Sequence, residues 1–119
     1  MKLGRLDHVS LNVSDRARSI DWYRETLGLE QRNDPSGDDE PVFMGDFGSC
    51  IALFQAQVVS PERAEESTGM RHLCFLVDDV HAWRGRLGEL ARFEDHGNAH
   101  SLYFRDPDGH VVELTTYLR

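Results

Sequence analysis

Glu113 stands in the middle of an apolar run, Val111-Val112-Glu113-Leu114, directly after the turn sequence Asp106-Pro107-Asp108-Gly109. A carboxylate buried without a partner is heavily penalised, so this one either faces water or meets a cation. Two histidines supply a reason for the second arrangement. His8 opens the run His8-Val9-Ser10-Leu11-Asn12-Val13, and His72 opens His72-Leu73-Cys74-Phe75-Leu76-Val77. Two neutral imidazoles and one carboxylate from separate strands make a facial triad with open coordination positions. That donor set is characteristic of non-haem Fe(II) and compatible with Mn, Ni, Co or Zn. Open positions imply that substrate or water binds there, as in a catalytic site.

The elements that must position these groups come as a repeat. Each His-led run reads as a strand followed by a helix cap, Ser14-Asp15 in the first case and Asp78-Asp79 in the second. Apolar residues at three- or four-residue steps then mark helices: Ile20, Tyr23 and Leu27, and Val80, Trp83, Leu87 and Leu90. Gly28 and Gly88 fall near the expected stops. Two short strand signals around a turn close each half: Val42 to Met44, Gly45 to Gly48 and Cys50 to Gln55; then Ser101 to Phe104, Asp106 to Gly109 and Val111 to Tyr117. A strand, a helix and two or three strands, written twice, predict a pseudo-symmetric α+β domain whose two sheets curl around a shared cavity. The expected layout is a single domain over 1–119, with one module at about 4–58, a polar linker at about 59–69 and a second module at about 70–118. Asn33 to Pro41 reads as an acidic, turn-rich loop.

Strand alternation assigns faces. It sets His8, Ser10 and Asn12 on the cavity side and Val9, Leu11 and Val13 under a helix; the same parity sets His72 and Cys74 on the cavity side of the matching strand. Superposing the two turns pairs Leu53 with Leu114 and so Ala52 with Glu113, which leaves a methyl group at the fourth corner of the site. Cys50, Phe54 and Cys74 share the expected cavity face and shape the pocket.

Composition limits the partners. The formal net charge of −8 argues against a nucleic-acid surface, which needs clustered Lys and Arg, and favours neutral or cationic small molecules. No apolar run reaches the roughly 20 residues that span a bilayer, and no signal-type segment opens the chain, so a cytoplasmic location is expected. Two cysteines, Cys50 and Cys74, are too few for a disulfide framework and read as free thiols.

The stretches "LDHVSLNVSD", "SIDWYRETLGLE", "MRHLCFLVDD" and "LYFRDPDGHVVEL" together resemble the four recurrent blocks of the vicinal oxygen chelate superfamily, also described as the glyoxalase, bleomycin-resistance and extradiol-dioxygenase superfamily. The resemblance spans nearly the whole chain in order. It implies two βαβββ modules forming an open, cupped sheet around a divalent metal at His8, His72 and Glu113, Fe2+ being favoured. It also implies a homodimer and chemistry in which the metal grips two neighbouring oxygens of a small molecule.

Within the family the expected activity leans to extradiol-type ring cleavage by a dioxygenase. Glyoxalase-type lyases and isomerases usually place a further ligand where this chain has Ala52. Fosfomycin-resistance transferases share the three-ligand set and the "SLYF" stretch but use basic residues for an anionic phosphonate, and the segment from Phe93 to Ala99 has no Lys or Arg. Extradiol enzymes have a Tyr ten residues before the ligand Glu, a spacing that Tyr103 meets. By that resemblance Tyr103, His96 and His100 are the expected acid or base groups, and Ser101 shares the face of Tyr103. A metal-free, bleomycin-type drug-binding protein is the non-enzymatic alternative. Outside the site, His110 reads as a turn residue, His81 as a solvated helix residue, Trp22 and Trp83 as helix-to-sheet packing, and Asp38, Asp39 and Glu40 as a solvated loop.

Overall fold

A computed structural model describes residues 1–46, 48–61 and 63–118. The turn expected at Gly45 to Gly48 includes Phe47 and the expected linker includes Glu62, and both residues lie outside the described residues. The chain divides into two compact units, Met1–Ser60 and Pro61–Arg119.

The first unit runs β1 (Val9–Val13), α1 (Arg16–Leu27), β2 (Val42–Met44) and β3 (Ile51–Gln55). Helix α1 starts where the extended backbone of Asp15 lets its carboxylate accept from the Arg18 N–H at 3.1 Å. It stops at Gly28, whose φ of 72° turns its own N–H back to the Arg24 carbonyl. In the sheet, β3 lies between β1, to which it is parallel, and β2, to which it is antiparallel. A single bridge from Gln31 to Met44 stands where the repeat allows a further strand. Alternation is visible in burial: Leu11 and Val13 are buried, while Ser10 and Asn12 are exposed. The fully buried Tyr23 fills the face that α1 shares with β2 and β3.

The second unit runs β4 (Leu73–Leu76), α2 (Val80–Leu87), β5 (Arg92–Asp95), β6 (Ala99–Arg105) and β7 (Val111–Tyr117), a complete βαβββ module. Its strand order is β4-β7-β6-β5, with β4 parallel to β7 and the other pairs antiparallel. Asp79 caps α2 by accepting from the His81 N–H at 2.9 Å. At Gly88 (φ 58°) the chain leaves the α-helix for a 3-10 turn, Gly88–Leu90. That change of pitch carries Leu90 out of the apolar stripe and leaves it exposed, whereas Val80 and Leu87 are buried.

The repeat extends to how each helix is fastened. Gln55, near the end of β3, accepts from the Arg16 N–H and donates to the Ser14 carbonyl. Thr116 holds the same place on β7, accepting from the Val80 N–H and donating to the Val77 carbonyl. In both units a side chain from the sheet satisfies backbone groups at the helix start that would otherwise lack partners. No helix among the described residues is long and apolar enough to cross a membrane.

Candidate functional site

In the second sheet β7 is flanked on both sides, and the register sets Glu113 between Cys74 on β4 and Tyr103 on β6. The carboxylate is buried, with the residue only 9% exposed, and it is well partnered. Ser101, itself fully buried one pleat along β6, donates to Oε2 at 2.7 Å, and Thr115 Oγ1 lies 3.0 Å from the same serine oxygen. His72, just ahead of β4, brings Nε2 to 2.8 Å from Oε1. The carboxylate in the apolar strand thus faces an imidazole and a hydroxyl, and the hydroxyl, which donates to it, offsets part of the cost of burying it.

The other nitrogen of His72 is also taken. Nδ1 lies 2.9 Å from Oε2 of Glu65, and Arg71 Nε is 3.9 Å from that same oxygen. The hydrogen bond from His72 holds the Glu65 carboxyl below the usual range, with a smaller contribution from Arg71.

Tyr103 stands edge-on to His72, with ring centroids 5.7 Å apart, and the Arg92 guanidinium lies 4.8 Å over its ring. Burial first, then the charge of Glu113, pushes its phenol up to about 12, so it stays protonated and donates. Its oxygen lies 3.0 Å from His96 Nε2. Cys74 is pushed up to about 12 for the same two reasons, and its thiol is a free, protonated one.

The first unit repeats part of this arrangement. His8 meets Phe43 edge-on at 5.3 Å, as His72 meets Tyr103, and Phe43 pairs with Ala52 as Tyr103 pairs with Glu113. His8 Nδ1 lies 2.7 Å from Asp7 Oδ2. Ser10 pairs with Ala52, and Asn12 with Phe54. Asn12 and Phe54 line a cleft of about 390 Å³ with Asp38, Asp39, Gln55 and Val58, so part of the acidic loop borders a cavity on this unit.

The remaining histidines separate by face. His100 alternates with Ser101 and Tyr103 on β6 and turns the other way, its Nδ1 3.2 Å from His81 on α2 and its ring against Phe93. His110 closes the 106–110 turn, its Nδ1 2.8 Å from the buried carboxylate of Asp106. Among the described residues, no group of three or more His, Cys, Asp or Glu is arranged to hold a metal ion. The second unit brings together His72, Glu113, Tyr103, Ser101 and Cys74, and adds His96 through Tyr103. Sequence reasoning missed Glu65 and Arg92. The first lies in a stretch read as linker, and the second sits one residue before the loop searched for cations.

Comparison with known proteins agrees with this architecture. The family description "Glyoxalase/Bleomycin resistance protein/Dioxygenase superfamily" matches residues 5–114. The metallothiol transferase FosB of Staphylococcus epidermidis strain ATCC 12228 is 31% identical, over 98% of this chain and 84% of that protein. The glutathione transferase FosA of Serratia marcescens is 30% identical, over 94% of this chain and 80% of that protein. The crystal structure of a lactoylglutathione lyase from Agrobacterium tumefaciens superposes with a TM-score of 0.74 at 25% identity, covering 98% of this chain and 96% of that one. With its two helix-bearing sheets and a family match over nearly its full length, the chain belongs to the glyoxalase/bleomycin resistance protein/dioxygenase superfamily.

Proposed function

We propose that this chain is a divalent-metal-dependent enzyme acting on a small molecule with two neighbouring oxygens, its metal ligands being His8, His72 and Glu113. The observation that carries the reading is the His72 Nε2 to Glu113 Oε1 approach of 2.8 Å, with Ser101 fixing the far carboxylate oxygen. This donor chemistry fits a divalent ion: a nitrogen and an oxygen already face each other, and the second imidazole nitrogen is anchored elsewhere. The family resemblance is what adds His8 as the third ligand. When bound, the metal supplies a Lewis acid that polarises the substrate oxygens.

The chain's own groups do the rest. Tyr103, protonated across the neutral range, donates a hydrogen bond to an oxygen that gains negative charge, and His96 orients its phenol. Ser101 serves by holding Glu113 in place. Ser10, Asn12, Phe54 and Cys74 form the substrate walls, while His100 packs against α2.

Transfer or rearrangement without net oxidation is the first reaction class. The named relatives are thiol transferases and a lyase, and Arg92, which lies over Tyr103 and pairs with Glu94, is a cation beside the site. Extradiol ring cleavage with Fe2+ is the second, favoured by the Tyr103–His96 pair as an acid–base couple. A cytoplasmic homodimer belongs to the same reading.

The test is metal analysis followed by a substrate panel. Wild type is expected to retain about one divalent ion per chain, and His72→Ala to lose it. Thiol addition or hemithioacetal turnover with Mn2+, Ni2+ or Zn2+ supports the first class, and oxygen uptake with catechols and Fe2+ supports the second. Metal-free wild type that binds a bleomycin-like cation overturns the enzyme reading.

A further inference from the structure

Glu65 lies in a polar stretch that has no part in either sheet, yet its carboxylate meets His72, seven residues further along the chain. The segment that carries it is self-braced. The Arg63 guanidinium donates to the carbonyls of Thr68 and Met70, closing the chain into a loop. Gly69 makes room for that clamp: its φ is 128°, and a Cβ there would stand 2.0 Å from Arg63 Nη1. A turn from Ser67 N–H to the Ala64 carbonyl at 3.0 Å tightens the same loop. Glu65 projects from it as a half-buried carboxylate, 21% exposed, onto His72 Nδ1 at 2.9 Å. The opposite ring nitrogen points at Glu113.

We infer that Glu65 is a positioning residue for the metal centre: it holds a proton on His72 Nδ1 and so turns Nε2 toward Glu113 as the ligating nitrogen. A neutral imidazole has one N–H and one lone pair, and the partner of one nitrogen decides which is which. Without Glu65 the carboxylate left on the ring among the described residues is Glu113, which draws the proton to Nε2 and blocks the atom that must bind. Carboxylate partners of this kind fix ligand orientation and raise ligand basicity, and their loss costs about 10–100-fold in metal affinity. The inference rests on the ligand set proposed above, but its first readout does not need the metal.

The experiment compares wild type, Glu65→Ala and Glu65→Gln as metal-free, 15N-labelled full chains at pH 8. Long-range proton–nitrogen correlation reads which ring nitrogen of His72 is protonated, with His72→Asn for assignment. Wild type should show a protonated Nδ1, and Glu65→Ala should shift the proton to Nε2. Glu65→Gln, which keeps an acceptor oxygen, should retain the wild-type state. Zn2+ affinity, measured by competition with a chromophoric chelator, should fall about 10–100-fold in Glu65→Ala and recover most of the way in Glu65→Gln. Glu65→Ala with an unchanged ring and Zn2+ affinity within about twofold of wild type overturns the inference, as does Glu65→Gln behaving like Glu65→Ala in both readouts. Wild type that fails to bind Zn2+ sinks the ligand set instead, and the ring-proton comparison still decides the role of Glu65.

Discussion

Ala52 and Glu113 hold the same place in their respective sheets: Ala52 lies between Ser10 and Phe43, and Glu113 lies between Cys74 and Tyr103. Ala52 is fully buried between those two neighbours. Ala52→Glu therefore buries a charge in the place where Glu113 has the Ser101 hydroxyl as a donor. The variant should lose at least about 2 kcal/mol of stability in urea denaturation; an unchanged midpoint would show that the first unit can supply partners of its own.

Ser101 is the buried hydroxyl that Glu113 depends on. Ser101→Ala leaves one carboxylate oxygen short of its donor and should cost about 1–3 kcal/mol. The cost should largely vanish in a Glu113→Leu background, where there is no charge left to satisfy. A double-mutant cycle showing no coupling between these positions would contradict the account.

Cys74 combines an exposed residue with a thiol pushed up to about 12 by partial burial and the nearby Glu113. The thiolate is scarce at neutral pH, and its greater intrinsic reactivity only partly compensates, so alkylation in metal-free protein should run roughly fiftyfold slower than for an ordinary thiol. Glu113→Gln should speed the reaction. Labelling followed by peptide mass analysis separates Cys74 from Cys50, and rapid labelling of wild-type Cys74 would count against the arrangement.

His110 titrates above its ordinary value, chiefly because its Nδ1 hydrogen-bonds to Asp106, with further attraction from the charges of Asp106 and Asp108. A histidine raised on folding adds stability that is fully present below its unfolded value of about 6.5 and is lost as pH rises through the higher folded value. The stability gap between wild type and His110→Ala should therefore be largest near pH 6 and shrink toward pH 8–9. Thermal melts across that range check it; a gap that widens with pH would reverse the sign of the interaction.

The sequence by itself determined the repeat and the local structure that expresses it. Asp15 and Asp79 cap helices, Gly28 ends one, and alternation in Val9–Val13 separates buried Leu11 and Val13 from exposed Ser10 and Asn12. Even the equivalence of Ala52 with Glu113 follows from aligning two turns, because strand pairing carries a register forward one residue at a time. These features depend on near neighbours along the chain or on period two, and both are written in residue order. Tertiary structure alone decided which side chains became partners. Ser101 and His100 are adjacent, yet one grips Glu113 and the other packs on α2. His96 precedes the start of β6, where alternation assigns no face, and it still reaches Tyr103. Glu65 sits in a segment without periodicity, and only the closed loop around Arg63 delivers it to His72. A hydrogen bond of 2.9 Å depends on where two separate elements are fixed in space, and no spacing of residue types encodes that distance.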